Sequence, residues 1–399
     1  MSKLHFNTSP QKKTGKYALV LDIGTSGIKT FIFDTNLNPV IRTYERLKKK
    51  KTKHGWVEQD PKELLSTAIT TLRKSVKKSG MAPTSFNSLG ITNQRETTIC
   101  WDKKTGSPVS PAIVWEDERT KKICTNLKRK YEKLVRTKTG LSINPYFSAS
   151  KLSWILKNVP QAKKLAKKHN LAFGTVDTWL LWNLVEKSPH LTDYTNASRT
   201  LLFNIKTLKW DKQLMDIFNI PADVMPKVVP SKSFFGNLKN SVLGFSLPVH
   251  AICGDQQASM YAAGITKGAT KITYGTGTFV MQVIGHRFLT KKGFFTTLTP
   301  GKHRPLYALE MKINNTGKDI DELLQKKLSL DRILQRIVNM AQKIIKRLPI
   351  KPGVIIADGG ITRAEKILTM QSAISKIKIE RQRIFDGTAL GVAKMIIKK

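Results

Sequence analysis

The chain has 399 residues, 40% of them apolar, which is enough for two domains with separate hydrophobic cores. Its 69 Lys and Arg against 28 Asp and Glu give a formal net charge of +41. No apolar run approaches the roughly 20 residues of a membrane span, and residues 1–16 form a basic tail without the apolar stretch of a signal peptide. The three cysteines are widely spaced and form no Cys-x-x-Cys pair, which fits a reducing compartment. We therefore expect a soluble, cytoplasmic protein that does not bind a membrane.

The positive charge attracts phosphates of any kind, so it does not identify a partner. Lysine-rich stretches at residues 48–53, 163–168 and 343–351 lack interleaved aromatic side chains, and the sequence contains no RNP or zinc-finger motif. A lysine-rich solvated surface is therefore favoured over nucleic-acid binding. The sequence is compatible with a homo-oligomer but does not specify one.

The chain opens with a pattern typical of a β-hairpin. A β-rich run at residues 17–22 is followed by the turn Gly-Thr-Ser-Gly at 24–27 and by alternating residues at 28–34. The same pattern returns at residues 271–284, around a second glycine-rich turn. Two such hairpins predict a duplicated architecture in which each half presents one loop to the same ligand.

The remaining elements alternate between helices and strands, which predicts an α/β fold. The predicted strands cover residues 88–92, 97–101 and 353–357. The predicted helices cover residues 61–78, 121–134, 150–158, 177–185, 328–347 and 363–375, with Asp177 as a helix N-cap.

The first turn has the chemistry of a phosphate site. The glycines of the 24–27 turn let successive N–H groups point at one anion, the hydroxyls of Thr25 and Ser26 add donors, and Asp22 before them suits a hydrated Mg²⁺. A plain hairpin turn explains one such loop equally well. The second loop at 274–278 favours phosphate binding over coincidence.

Two polar clusters follow apolar strands. Arg95 and Glu96 together suit hydroxyls that both donate and accept, although a surface ion pair is the alternative interpretation. Asp255, between Gly254 and Gln256, lies at the end of a predicted strand, where open α/β sheets bind ligands. Its alternative role is a helix N-cap, and the two roles are compatible.

Longer stretches of sequence point to one family. The chain resembles the glycerol kinase branch of the FGGY carbohydrate kinases, closely over residues 17–285 and in patches beyond. The stretches that carry this resemblance are residues 55–61, 91–101, 112–115, 144–148, 174–179, 192–204, 254–258 and 273–277. The resemblance implies a duplicated, actin-like (ribonuclease H-like) ATPase fold with two lobes around a catalytic cleft.

The resemblance also implies a set of site residues. Asp255 would be the base that takes the proton of the attacking hydroxyl. The polyol would be bound by Arg95, Glu96, Tyr146, Asp255 and Gln256. ATP would be bound by Thr25, Ser26, Gly27, Lys29, Thr276, Gly277, Gly359 and Gly360, and Mg²⁺ would be held, largely through water, by Asp22 and Asp255.

The second half departs from the family pattern. Some tens of residues are absent after Glu310, the chain ends soon after Gly391, and Glu365 stands near the place of an asparagine that contacts adenine. We therefore expect a substrate and phosphate-loop domain at 17–247 and a shortened nucleotide domain at 248–399.

The expected activity is ATP-dependent phosphorylation of glycerol to sn-glycerol 3-phosphate in glycerol catabolism. Two alternatives stay open at the level of sequence. One is a kinase of another polyol or of a pentulose such as xylulose. The other is a regulatory protein that binds glycerol and has impaired phosphoryl transfer.

Overall fold

The structure is a computed structural model that describes residues 17–274, 278–301, 303–313 and 329–397. Its strands are β1 Tyr17–Ile23, β2 Gly27–Phe33, β3 Pro39–Arg46, β4 Lys50–Lys51, β5 Val57–Gln59, β6 Phe86–Asn93, β7 Ile99–Asp102, β8 Ala112–Ile113, β9 Leu171–Gly174, β10 Leu191–Asp193, β11 Phe203–Asn204, β12 Lys209–Trp210, β13 Lys227–Val229, β14 Val249–Gly254, β15 Thr270–Tyr274, β16 Thr278–Gly285, β17 Phe295–Thr299, β18 Leu306–Ile313, β19 Val354–Asp358 and β20 Lys378–Arg381. Its helices are α1 Pro61–Ser79, α2 Lys121–Thr139, α3 Ser148–Asn158, α4 Pro160–Lys167, α5 Val176–Leu184, α6 Tyr194–Ala197, α7 Lys212–Ile217, α8 Asn240–Leu243, α9 Asp255–Ala263, α10 Leu330–Ile345, α11 Glu365–Ser375 and α12 Gly387–Ile397. Short 3₁₀ helices lie at Pro83–Ser85, Ala222–Val224 and Gly360–Arg363.

The first sheet has the strand order β14-β6-β1-β2-β3. β1 and β2 form the predicted hairpin, closed by a hydrogen bond of 3.0 Å from the Gly24 N–H to the Gly27 carbonyl. Position 27 needs a glycine because the neighbouring strand lies very close to it: a Cβ there would be 2.6 Å from the carbonyl oxygen of Glu45. β6 and β14 join β1 in parallel, so the strands after the hairpin need crossover connections.

The second sheet repeats this plan. Its order is β17-β18-β16-β15-β19-β20, in which β15, β16 and β18 are antiparallel and β19 and β20 lie parallel to β15. In both sheets, therefore, the first two strands form an antiparallel hairpin. Two further strands, parallel to the first strand of the hairpin, extend the sheet on that side. The predicted second hairpin is confirmed, while its turn at residues 275–277 lies outside the described residues.

Helices cover both faces of the first sheet. α1 packs its apolar side on one face, and α9 and α12 pack on the other. A separate core lies among α2, α3, α4 and the loops up to residue 225. α10 and α11 cover the second sheet. Because β14 belongs to the first sheet and α12 returns to it, both lobes are tied together at several places. The predicted division at residue 248 stays a prediction.

The predicted helices and strands are present, and their observed bounds differ from the predicted ones by a few residues. The exception is the end of α2, which continues to Thr139. One predicted cap is wrong. α5 begins at Val176 after Thr175, and Asp177 lies in the first turn. Its buried carboxylate accepts from the hydroxyls of Thr175 and Thr192, the latter at 2.6 Å, so it ties the helix to β10 rather than capping it.

Cys100, Cys124 and Cys253 are buried thiols, and no disulfide joins them. Within the described ranges, no helix has both the length and the apolar content needed to cross a membrane.

Candidate active site

Three neighbouring strands end at one edge of the first sheet. Ile23 of β1, Asn93 of β6 and Gly254 of β14 lie in one register row. The glycine-rich turn follows β1, Arg95 follows β6 and Asp255 follows β14. Because ligands of open α/β sheets bind outside the carboxyl ends of the strands, this edge is the candidate active site.

A network of buried charges fills the centre of the site. Arg95 donates from Nη1 and Nη2 to the two carboxylate oxygens of Glu310 at 2.7 and 3.1 Å, and its Nε lies 3.1 Å from Oδ1 of Asp255. Arg199 donates from Nε to Glu96 at 2.6 Å, and its Nη2 lies 3.0 Å from Glu310. Burial alone would raise the pKa of Glu310, but Arg199 and Arg95 lower it to about 2. Since Arg95 and Glu96 are both buried, the alternative of an exposed surface pair is wrong.

The backbone at Glu96 is held in an unusual conformation. Its φ is 62°, in the left-handed region that costs a residue with a side chain about 1 kcal/mol or more. The hydroxyls of Thr98 and Ser148 both donate to the Glu96 carbonyl at 3.2 Å, and the Thr97 N–H donates to the Arg95 carbonyl at 2.7 Å. These bonds hold the turn that points the Arg95 and Glu96 side chains into the same site.

Aromatic rings form one wall of the site. Trp115 and Tyr146 meet edge to face with centroids 5.6 Å apart, and Tyr146 meets Phe147 at 5.2 Å. The Arg199 guanidinium lies 5.0 Å from the Phe147 ring centroid and 5.6 Å from that of Tyr146. The wall thus offers apolar surface for a carbon chain beside donors and acceptors for hydroxyls.

Asp255 is the first residue of α9, and Gly254 occupies the N-cap position, so Asp255 is not the cap itself. Its Oδ1 accepts from the Gln256 N–H at 2.6 Å, and 34% of its side chain is exposed. Burial raises the pKa of Asp255, and Arg95 opposes that effect. Gln256 accepts at 3.3 Å from Lys271, which also donates to Ser259 at 2.6 Å.

The first glycine-rich turn is attached to the aromatic wall of the site. The indole N–H of Trp115 donates to Oγ1 of Thr25 at 2.9 Å, and the amide of Gln59 donates to the Thr25 carbonyl at 2.9 Å. Ser26 accepts at its carbonyl from the Leu47 N–H at 3.0 Å. The hydrogen bond from Trp115 therefore joins this turn to the aromatic wall.

Lys29, the predicted phosphate-binding cation, is paired with carboxylates. Its Nζ lies 2.5 Å from Asp386 and 3.9 Å from Asp22. Asp22 is 8% exposed. Burial raises the pKa of Asp22 to about 6; Lys29 opposes this rise, and Asp386 and Asp255 add to it.

The other predicted nucleotide residues divide into two groups. Thr276 and Gly277 lie outside the described residues. Gly359 directly follows β19 with φ 94°, and a Cβ there would collide with the Tyr274 carbonyl, so the backbone after β19 lies against the end of β15. Gly360 begins a 3₁₀ turn and faces open space. Glu365 is paired with Arg381.

The donor set suits a hydrated Mg²⁺ rather than a protein cage. Among the residues that the structure describes, no group of three or more His, Cys, Asp or Glu could hold a metal ion. Mg²⁺ usually keeps several waters and binds one or two carboxylates plus phosphates. Asp22 fits this role, because it is a single buried carboxylate at the end of β1, beside the first glycine-rich turn.

The sequence profile of the "FGGY family of carbohydrate kinases, N-terminal domain" matches residues 17–262. The chain belongs to the FGGY family of carbohydrate kinases. Glycerol kinase 2 of Thermotoga maritima is 42% identical over 312 residues, which cover 77% of this chain and 63% of that enzyme. The chain therefore spans less than two thirds of the length of that relative. A glycerol kinase of Mycoplasmoides gallisepticum is 34% identical, and the match covers 94% of this chain and 87% of the relative.

Solved structures of the FGGY family have the same fold. The crystal structure of Plasmodium falciparum glycerol kinase with ADP matches with a TM-score of 0.88 at 28% identity, over 96% of this chain and 89% of that one. A ligand-bound xylulose kinase of Lactobacillus acidophilus matches with a TM-score of 0.80 at 19% identity, over 95% of this chain and 88% of that one, and shows the fold alone. The predicted α/β, actin-like two-lobe fold is confirmed.

Several residues of the site were not predicted from the sequence. Arg199 and Glu310 complete the charge network, and Trp115 extends the aromatic wall. Lys151, buried, donates to the Tyr146 and Phe147 carbonyls at 2.7 and 3.2 Å, and burial lowers its pKa to about 7. The available signal was a charged residue shortly before an apolar run, as at Arg199, which precedes Thr-Leu-Leu-Phe.

Proposed function

We propose that this protein transfers the γ-phosphoryl group of ATP to glycerol and forms sn-glycerol 3-phosphate, as a step of glycerol catabolism. The observation that carries the proposal is the meeting of a buried Arg95–Glu96 pair, an aromatic wall and the partly exposed Asp255 at one sheet edge. The proposal is supported by 34% identity to a glycerol kinase that the chain covers over 87% of its length.

Glycerol needs partners that both donate and accept. Arg95 uses three hydrogen bonds on Glu310 and Gln257, out of the five N–H groups of a guanidinium. Its Nε lies 3.1 Å from Asp255, so one N–H of Nη2 is left for a hydroxyl, and Glu96 can accept from a hydroxyl. The Tyr146 ring packs on the carbon chain. Gln256, next to Asp255, would bind the hydroxyl that attacks.

Asp255 would act as the base. Phosphoryl transfer passes through a loose transition state, so the carboxylate has only to orient the attacking hydroxyl and to accept its proton late. A pKa raised by burial makes Asp255 a stronger base than an exposed aspartate. Closure of the cleft would keep water from taking the phosphoryl group in place of the polyol.

The phosphates of ATP would lie between the two hairpin turns. Thr25, Ser26 and Gly27 would supply N–H and hydroxyl donors on one side, and Thr276 and Gly277, outside the described residues, would do so on the other. Lys29 would add positive charge. Gly359 and Gly360 would pass close to the nucleotide. Asp22 and Asp255 would hold Mg²⁺ through water, and Mg²⁺, when bound, neutralises charge on the β- and γ-phosphates.

A coupled assay of ADP release with Mg-ATP tests the proposal. Glycerol should give the highest kcat/KM in a panel that includes xylulose and other polyols. A higher kcat/KM for a pentulose would replace glycerol as the substrate. Glycerol binding by calorimetry without ADP release, under conditions where another glycerol kinase is active, would show a binding protein instead of an enzyme.

A further inference from the structure

Lys312 brings an ammonium group to the wall of the candidate polyol site. It lies on β18 two residues after Glu310, so the two side chains point to the same face of the strand. Its register partner on β16 is Phe279. Glu310 contacts both arginines of the charge network, and Lys312 continues that line of charged groups toward the aromatic rings.

Three aromatic rings lie close to the Lys312 ammonium. Its Nζ lies 4.2 Å from the ring centroid of Trp115, 5.1 Å from that of Tyr146 and 5.6 Å from that of Phe279. Two of these rings belong to the first half of the chain, so the ammonium lies between the lobes. Among residues 17–274, 278–301, 303–313 and 329–397, no carboxylate lies within ion-pair distance of it.

The two carboxylates near Lys312, those of Glu96 and Glu310, do not accept hydrogen bonds from its ammonium group. Burial lowers its pKa; Glu96 and Glu310 counteract that effect at longer range. Both carboxylates are already bound by guanidinium groups, Glu96 by Arg199 and Glu310 by Arg95 and Arg199. Ring faces attract a cation but accept no strong hydrogen bond. An ammonium has three donors, and in the part of the chain that the structure describes no carboxylate accepts from them.

We propose that Lys312 is a specificity-determining residue that donates to the substrate oxygen farthest from Asp255. The site would then accept, besides glycerol, three-carbon polyols with a carboxylate at that end, of which glyceric acid is the simplest. A carboxylate would form a charge-assisted hydrogen bond with Lys312, whereas a hydroxyl forms a weaker one. The inference rests on the proposed function, because it places the substrate between Asp255 and the aromatic wall.

Binding measured by calorimetry without nucleotide tests the inference apart from turnover. D-glycerate and glycerol are titrated into the wild-type protein and into Lys312→Met, Lys312→Arg and Lys128→Met. Lys128 is exposed on α2, so Lys128→Met removes the same charge from the helix surface. The wild type should bind D-glycerate, and Lys312→Met should lower the affinity for D-glycerate relative to glycerol at least about tenfold. Lys312→Arg should keep part of the preference, and Lys128→Met should keep all of it.

Three results would overturn the inference. They are no binding of D-glycerate to the wild type, a ratio of the two affinities in Lys312→Met within twofold of the wild type, and an equal loss in Lys128→Met. Thermal unfolding is recorded first, and Lys312→Gln replaces Lys312→Met if that variant does not fold. ADP release from glycerol separates the two proposals. If glycerol is phosphorylated and the affinity ratio does not respond to Lys312, only the specificity inference fails.

Discussion

Glu310→Gln is expected to damage stability and substrate binding together. Glu310 is 1% exposed and accepts from Arg95 at 2.7 and 3.1 Å, with Arg199 at 3.0 Å. The amide keeps the shape of the side chain but removes the charge and turns one acceptor into a donor that faces a guanidinium. Removing one partner of a buried ion pair costs about 3–5 kcal/mol. The free energy of unfolding should fall by about that amount, and KM for glycerol should rise because Arg95 loses its anchor.

Urea unfolding followed by tryptophan fluorescence measures the first effect, and ADP release at varied glycerol concentration measures the second. Glu118→Gln is the control, because Glu118 is 71% exposed and only 3.6 Å from Lys121 in a surface pair. Such pairs contribute about 0–1 kcal/mol. The reasoning is refuted if Glu310→Gln costs no more stability than Glu118→Gln and leaves KM for glycerol within twofold of the wild type.

Two further predictions concern the first glycine-rich turn, at residues 24–27, and the pH dependence of stability. Gly27→Ala should displace the turn, because the new Cβ would lie 2.6 Å from a backbone carbonyl of the next strand; we expect kcat/KM for ATP to fall about tenfold or more. Gly353→Ala, where a Cβ meets nothing within 4 Å, is the control, and equal kinetics in the two variants would contradict the role of the turn. Burial lowers the pKa of His190 to about 4 from its ordinary 6.5, while its hydrogen bond to the Phe173 carbonyl opposes that effect. The unfolded chain therefore binds a proton first as pH falls, and the free energy of unfolding should drop by up to about 3 kcal/mol between pH 6.5 and pH 4. His190→Gln should lack that part of the slope in urea unfolding, and a wild-type slope in the variant would refute the assignment.

Local patterns were sufficient to predict the scaffold. The glycine-rich turns at 24–27 and 274–278 predicted two hairpins, and the two sheets do repeat one plan. Strand-end carboxylates predicted the site edge, and Asp255 and Arg95 do meet there at 3.1 Å. These features depend on contacts between neighbours in sequence or on a general property of parallel sheets.

Contacts between distant residues were not predictable in the same way. Glu310 reaches Arg95 across 215 positions of the chain, and neither residue alone indicates a partner. Asp177 is a residue type that often caps helices, but its buried carboxylate accepts a hydrogen bond from Thr192 instead. The lysine at 312 lies among many lysines in the sequence, and only the folded chain distinguishes it from the solvated ones.

We expect Asp255 to take the proton of a glycerol hydroxyl during phosphoryl transfer from ATP. The most direct measurement follows labelled γ-phosphate from ATP into glycerol 3-phosphate with the wild type and with Asp255→Asn, alongside calorimetric binding of glycerol to both. The wild type should form labelled product, and Asp255→Asn should lose about 10²- to 10⁴-fold in kcat while its glycerol affinity stays within a few-fold of the wild type. Wild-type turnover that Asp255→Asn leaves unchanged, or no labelled product from the wild type beside an active control kinase, would contradict this expectation.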